Sequence, residues 1–128
     1  MSILYEDRFC QVSKFHIAIK NYYFPSAKPK YVPLDEIQIL SYQRQTFDWF
    51  GSKSWGMDLQ AVWWARDLKR NLRKGERKLW NVVLQCGASF DKGFTVQDLE
   101  LFLEVISQLL NPAPWAEIRD HINKRSVT

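Results

Sequence analysis

The hydrophobic periodicity of this chain changes once, and that change limits the folds the chain can adopt. Before residue 90 apolar and polar residues alternate, as they do around Phe15, Ile17 and Ile19. A repeat of two is typical of strands with one buried face. Further on, apolar residues recur three and four positions apart, the stripe of an amphipathic helix: Leu99, Phe102, Leu103, Ile106 and Leu110. The pattern predicts a mainly β body followed by an α-helix.

The β region is predicted to contain about seven strands between residues 3 and 90, because that many alternating runs are separated by turn residues. Segments 25–29, 87–89 and 91–93 are rich in Pro, Gly, Ser and Asp and are interpreted as turns. Short turns favour antiparallel pairing of consecutive strands. The expected body is therefore a meander of antiparallel strands.

The predicted helix covers about residues 96–110. Thr95, followed three residues later by Asp98, is similar to a capping box, with Asp in place of the usual Glu or Gln. A second, short helix over 115–123 is also predicted, with apolar residues on one face: Trp115, Ile118 and Ile122.

Length and composition predict one domain over 1–128. The chain has 128 residues, of which 46% are hydrophobic and 25% charged, a balance that excludes intrinsic disorder. No apolar run approaches the roughly 18 residues of a membrane span, and the first residues lack a signal-peptide pattern. Cys10 and Cys86 are too few for a disulfide framework, so both are expected as reduced thiols. These features predict a cytoplasmic protein.

Two stretches carry a resemblance to a known fold family. The first runs from Tyr22-Tyr23-Phe24-Pro25 to 31–37, Tyr-Val-Pro-Leu-Asp-Glu-Ile, and the second is 93–103, a Gly-Phe-Thr start followed by an acidic residue and Phe-Leu. Both resemble segments of bacterial and uncharacterised pleckstrin-homology-like (PH-like) domains. The resemblance implies an antiparallel barrel or roll of about seven strands, capped by a C-terminal amphipathic helix that covers open edges and fills one end.

The lipid site of many PH-like domains does not carry over to this chain. Those members place basic residues between their first two strands, whereas the corresponding turn here, 12–14, is short and has one Lys. The two matching stretches contain no ligand-binding residues of the family. The resemblance therefore implies a fold and a binding role, and leaves the ligand open.

Catalysis and metal binding find no support in the residue pattern. Cys10 and His16 could lie on adjacent strands, but no third group orients them and a packing role for Cys10 is favoured. The other histidine is His121. Metal-ligand spacings and a glycine-rich phosphate loop are absent from the sequence. The sequence thus predicts a protein that is not an enzyme, with no metal and no cofactor.

The strongest charge feature is a basic segment over 66–78, predicted to form a hairpin. It has two acids and seven cations, a net charge of +5: Arg66, Lys69, Arg70, Arg73, Lys74, Arg77 and Lys78. Clustered cations attract lipid headgroups or acidic partners, and a solvated hairpin that only resists edge pairing is the alternative. Nucleic acid is disfavoured, because the whole chain has a net charge of only +4. Binding of a protein partner or an anionic lipid, peripheral to a membrane in the second case, is the leading hypothesis.

Tryptophans supply the second functional hypothesis. Adjacent strand residues point to opposite faces, so Trp63 and Trp64 cannot both face one core. Aromatic residues are enriched at protein interfaces, and four are candidate interface residues: Trp49, Trp63, Trp64 and Trp80. The alternative function is therefore a structural protein–protein interaction or homo-oligomerisation module, using exposed aromatics and the groove beside the C-terminal helix.

Overall fold

The structure, a computed structural model, describes residues 2–44, 55–57, 62–67, 79–87, 90–110, 117–120 and 125–126. Within these ranges the chain forms strands and a C-terminal α-helix, so the prediction of a mainly β protein with such a helix is confirmed. In chain order the elements are β1 Ile3–Glu6, β2 Cys10–Ser13, β3 His16–Ile19, β4 Lys30–Pro33, β5 Ile39–Arg44, β6 Gly56–Met57, β7 Val62–Trp64, β8 Trp80–Gln85, β9 Asp91–Val96, α1 Leu99–Leu110, β10 Glu117–Asp120 and β11 Arg125–Ser126.

The first sheet is the predicted antiparallel meander, in the order β1-β2-β3-β4. Its registers pair Tyr5 with Val12, Val12 with Ile17, and Ile17 with Val32. All four of these side chains are buried, because side chains that pair across a sheet lie on the same face. This row forms one wall of the core.

The second sheet has the order β11-β10-β5-β8-β9-β7-β6. Its centre, β5-β8-β9, is antiparallel, and it places Leu40 opposite Leu84 and Val82 opposite Phe94. Two pairings are parallel, β7 with β9 and β10 with β5, so the prediction of purely antiparallel strands was wrong. Across the described residues the strands form two sheets and no closed barrel.

The helix α1 covers one end of the core, as its apolar stripe predicts. Leu99, Phe102 and Ile106 are buried and Leu103 is partly buried. The Phe102 ring lies edge-on to Tyr5, with 5.5 Å between ring centres, and its centre is 6.1 Å from that of Phe94. The helix therefore joins both sheets through aromatic contacts. Among the described residues, no helix has the length and apolarity needed to cross a membrane.

The predicted start of this helix was wrong by three residues. Thr95 belongs to β9, where its hydroxyl donates a buried hydrogen bond to Asp67 Oδ2 at 2.6 Å. Asp98 is the N-cap, because its Oδ1 accepts a hydrogen bond from the backbone N–H of Leu101 at 3.1 Å. The helix begins at Leu99.

Two further predictions near the C-terminus were also wrong. Residues 91–93, interpreted as a turn, begin β9. The helix predicted over 115–123 is not formed in its described part, where β10 pairs in parallel with β5. Ile118, fully buried in β10, pairs with Leu40 of β5, so the strand is set by a long-range pairing that local spacing does not reveal.

Candidate ligand-binding cavity

A cavity of about 350 Å³ opens beside the first residues of β9. We call it the aromatic cavity, because five aromatic residues and two lysines line it. Tyr22, Tyr23 and Phe24 follow β3, Lys30 begins β4, and Trp63 is in β7. Phe90 immediately precedes β9, and Lys92 is in β9. The helix α1 follows the other end of β9, so the helix and the cavity lie at opposite ends of this strand.

The turn after β3 presents three consecutive aromatic residues to the cavity. The backbone N–H groups of Tyr22 and Tyr23 both donate to the carbonyl oxygen of Lys28, at 3.2 and 3.1 Å. The N–H of Ala27 in turn donates to the carbonyl of Tyr23 at 2.7 Å, and Ala27 has a positive φ of 62°. Tyr22 is buried while Tyr23 and Phe24 are exposed. The hydrogen-bonded turn holds its aromatic residues in a defined order from core to surface.

Two indole groups fix the backbone of this turn. The Nε1–H groups of Trp63 and Trp55 both donate to the carbonyl oxygen of Tyr22, at 2.8 and 3.1 Å. The Trp55 ring also lies edge-on to Phe24, with 4.9 Å between ring centres. Since each indole has its N–H satisfied, both rings have a fixed position beside the turn, and the Trp63 ring is a wall of the cavity. The cavity is therefore preorganised by contacts within the protein.

Lys92 is the most unusual residue of the cavity, because it occupies a core position. It shares one face of β9 with Phe94 and Val96 and is only 8% exposed. Its ammonium donates one hydrogen bond, to the carbonyl oxygen of Phe90 at 2.9 Å. Within the described residues no carboxylate forms an ion pair with it. An ammonium has three N–H donors, and burying it without a counter-charge is unfavourable. This arrangement favours an anion in the cavity.

The second lysine and a cysteine share the electrostatic environment of Lys92. Burial raises the pKa of the Cys86 thiol, while the positive charges of Lys92 and Lys30 oppose that rise. The carboxylates of Glu36 and Asp91 act on the same thiol in the opposite sense. Burial and these two carboxylates outweigh the two lysine charges, so the thiol stays protonated at neutral pH.

The first residue of the basic segment 66–78 lies beside the turn that follows β3. The N–H of Arg66 donates to the carbonyl of Asn21 at 2.9 Å, and its guanidinium lies 5.6 Å from the centre of the Trp55 ring. This is a cation–π contact, and it places the Arg66 charge next to the aromatic ring that packs on Phe24. The other six predicted ligand-binding cations lie outside the described residues: Lys69, Arg70, Arg73, Lys74, Arg77 and Lys78.

The four candidate tryptophans have different environments. Trp63 lines the cavity, whereas Trp64, on the opposite face of β7, is 3% exposed and is a packing residue. The Trp64 ring lies across Gly93, where an added Cβ would come within 2.5 Å of Trp64 Cε3. Trp80 is partly buried, with its ring centre 5.9 Å from that of Tyr42. Trp49 lies outside the described residues.

The one candidate nucleophile–base pair is not formed. Cys10 pairs with Ile19 of β3, which lies on the opposite face of the sheet from His16. Cys10 is fully buried, and burial raises the pKa of its thiol well above the usual range. Both cysteines are free thiols, as expected. In the part of the chain that the structure describes, no cluster of three His, Cys, Asp or Glu side chains is arranged to hold a metal ion.

Sequence reasoning overlooked Lys30 and Lys92 as ligand-binding candidates. A signal for Lys92 was present, since Lys92, Phe94 and Val96 alternate with Gly93 and Thr95. That alternation places a lysine on the apolar face of a strand. Residues 91–93 were interpreted as a turn because of their composition, so this strand position of Lys92 was not recognised.

Comparison with protein-family models, with curated proteins and with solved structures found no match to this chain.

Proposed function

We propose that this protein is a non-catalytic binding module of PH-like architecture, and that it takes an anionic group at the aromatic cavity. The basic segment 66–78 would extend the positive surface away from that cavity, beginning at Arg66. Two sheets with a C-terminal helix support the architecture, as does the position of the 93–103 motif, which spans β9 and the start of α1.

The observation that carries this proposal is the buried ammonium of Lys92. A lysine at a core position destabilises the fold unless something compensates its charge. The described residues supply one carbonyl oxygen and no ion pair. An incoming anion would supply the missing charge, and Lys30 on the same cavity would add a second cation.

The aromatic walls favour binding of the anion inside the cavity over its attraction to the exposed protein surface. The aromatic rings of Tyr22 and Trp63 make that part of the cavity wall apolar, which strengthens the attraction between an anion and an ammonium. Preformed cavities with few polar groups and several aromatic walls are typical ligand sites. Recognition, with no chemical step, is the role this arrangement supports best.

Inorganic phosphate and vesicles test the proposal in two arms. At low salt, phosphate should shift the amide resonance of Lys92 and the indole resonance of Trp63 in NMR spectra. Phosphatidylcholine vesicles with and without phosphatidylserine test whether the anionic group belongs to a lipid headgroup. Binding should weaken as salt rises, because the attraction is electrostatic. Absence of phosphate shifts and of vesicle binding would refute the proposal.

Matched variants locate the binding site. Lys92→Met keeps the length and packing of the side chain and removes its charge, so it should abolish the shifts. Lys14→Met removes an exposed charge from the β2–β3 turn and should leave them unchanged. Reversal of Arg70, Arg73, Lys74 and Arg77 to Glu tests the basic segment separately. If that reversal leaves vesicle or partner binding intact, the segment is only a solvated surface.

A protein–protein interaction module remains the alternative proposal. Leu101, on the outer side of α1, is 44% exposed, and Tyr23, Phe24 and Phe90 are exposed aromatic residues at the cavity. A partner bound through these apolar groups would be insensitive to salt. Binding that is unchanged between low and high salt would favour this alternative over the anionic one.

A further inference from the structure

We infer that the aromatic cavity accepts a small ligand in which a flat ring carries one anionic group, a carboxylate or a phosphate. The inference rests on the proposed function and narrows it from an anion of any kind to a ring-bearing one. It follows from the size of the cavity, the exposure of the residues that line it, and the position of the buried ammonium.

The size of the cavity suits a small molecule. At about 350 Å³ it lies near the lower end of the range of about 300–1,000 Å³ typical of ligand sites. A single ring with one substituent fits such a volume. A folded partner or a bilayer would contact the rim without filling the cavity.

The residues that line the cavity differ in exposure. Tyr22 and Lys92 are 5% and 8% exposed, whereas Tyr23 and Phe90 are 42% and 49% exposed. The ammonium of Lys92 lies 2.9 Å from the carbonyl oxygen of Phe90, so the buried charge and an exposed ring belong to neighbouring parts of the cavity. A ligand whose charge contacts Lys92 therefore lies beside aromatic side chains.

The aromatic groups are arranged to contact a ring. The ring centres of Tyr22 and Trp63 are 6.2 Å apart with a 45° tilt, and those of Tyr22 and Tyr23 are 5.1 Å apart and nearly perpendicular. Tyr22 is buried, so the exposed lining rings that a ligand ring can contact are those of Tyr23, Phe24 and Phe90, and aromatic pairs favour offset or edge-on geometry. A bare inorganic anion would satisfy Lys92 and leave these walls in water.

Four probes separate the charge from the ring. Benzoate and phenyl phosphate have both, inorganic phosphate has only the charge, and benzyl alcohol has only the ring. Calorimetry on the full chain at low salt should show benzoate or phenyl phosphate binding about tenfold or more tighter than the other two. The two ring-bearing anions also distinguish a carboxylate from a phosphate as the preferred group.

Variants assign the two parts of the ligand. Lys92→Met should weaken the ring-bearing anion about tenfold or more and leave benzyl alcohol unchanged, and Phe90→Ala should weaken every ring-bearing probe. Lys92→Gln provides a second neutral variant if the methionine variant fails to fold. Lys14→Met should change nothing.

Each contrary outcome has a separate meaning. Phosphate that binds as tightly as phenyl phosphate would overturn the inference and leave the proposed function standing. Benzyl alcohol that binds as tightly as benzoate would overturn both, because the charge would then be irrelevant. A ring-bearing anion whose affinity survives both Lys92→Met and Lys92→Gln would also overturn the inference.

Discussion

The two ends of β9 differ in how completely their polar groups are satisfied. At the helix end, next to α1, the carboxylate of Asp7 accepts hydrogen bonds from the Tyr5 hydroxyl at 2.5 Å and from the backbone N–H groups of Phe9, Cys10 and Gln97. The Tyr5 hydroxyl in turn accepts from the N–H of Asp98 at 3.1 Å. At the cavity end, next to Lys92, the ammonium has one carbonyl acceptor among the described residues.

The aromatic residues at the two ends differ in the same way. Phe102 at the helix end is fully buried and makes ring contacts with Tyr5 and Phe94. Phe90 at the cavity end is 49% exposed. A residue that is packed and satisfied contributes to stability, whereas an exposed ring beside a buried charge adds little stability and is available to a ligand. One end of the core thus holds the fold together, and the other is the end at which we propose recognition.

The largest expected effect concerns this pair of phenylalanines. Phe102→Ala should lower the free energy of unfolding by about 4 kcal/mol, because it removes a buried ring and leaves a cavity between the helix and both sheets. Phe90→Ala should change it by less than about 1 kcal/mol, because half of that side chain is already in water. Urea unfolding measures both. Equal losses at the two positions would contradict the division between the ends.

Gly93 tests the middle of β9, between the two ends. Gly93→Ala should destabilise the protein by about 2 kcal/mol, since the new methyl group would overlap the buried Trp64 ring. Replacing Trp64 by Leu in the same chain should recover part of the loss. Two independent, additive losses in the double variant would show that the two residues do not oppose each other.

The two buried tyrosines compare the ends by hydrogen bonding. Tyr5→Phe should lower stability by about 2 kcal/mol, because its hydroxyl bridges Asp7 and Asp98. Tyr22→Phe should change stability by less than about 0.5 kcal/mol, because within the described residues its hydroxyl has no hydrogen-bond partner. Thermal unfolding at pH 7 measures the difference. A larger loss at Tyr22 would refute it.

The same residues predict an alkaline loss of stability. Burial raises the pKa of both Tyr5 and Tyr22 above the value near 10 of an unfolded tyrosine. The stabilisation is therefore complete below pH 10 and declines as pH rises through and beyond it, because the unfolded chain then releases protons that the folded chain retains. Each Tyr→Phe variant should show a smaller decline. A decline as steep as that of the unchanged protein would contradict this assignment.

Lys92→Met should have a small effect on stability, of the opposite sign. Lys92→Met removes a buried charge that has no ion pair in the described residues, so the free energy of unfolding should rise by about 1 kcal/mol. Lys14→Met serves as the exposed control and should have no effect. A clear loss of stability in Lys92→Met would show that this ammonium is a structural group.

The fold was predictable from sequence where local spacing determines it. The stripe of Leu99, Phe102 and Ile106 predicted a buried helix face, and the structure confirms it. The start of the helix was not predictable in the same way, because the hydroxyl of Thr95 binds Asp67, 28 residues away in sequence. Ile118 likewise belongs to a strand only because β5 lies beside it. Long-range pairings determine the secondary structure of such residues, and the spacing of apolar residues in the sequence does not reveal those pairings.

The candidate site was predictable only in part. Trp63 was named as an interface residue, whereas the lysines of the cavity, Lys30 and Lys92, lie outside the basic segment 66–78 that was expected to bind. The convergence of Tyr22, Lys30 and Lys92 depends on the turn after β3 meeting the start of β9. Composition favours a turn at 91–93, and only the alternation with Phe94 and Val96 indicates a strand with a buried lysine.

The most direct test of the account is whether an anion stabilises the protein through Lys92. The melting temperature should be measured for the unchanged chain and for Lys92→Met, with and without phenyl phosphate at low salt. A ligand that binds the folded state and not the unfolded chain raises the melting temperature, and the rise grows with ligand concentration. We predict a concentration-dependent rise in the unchanged chain and none in Lys92→Met. Equal rises in both proteins, or no rise in either, would contradict the assignment of the cavity end to anion recognition.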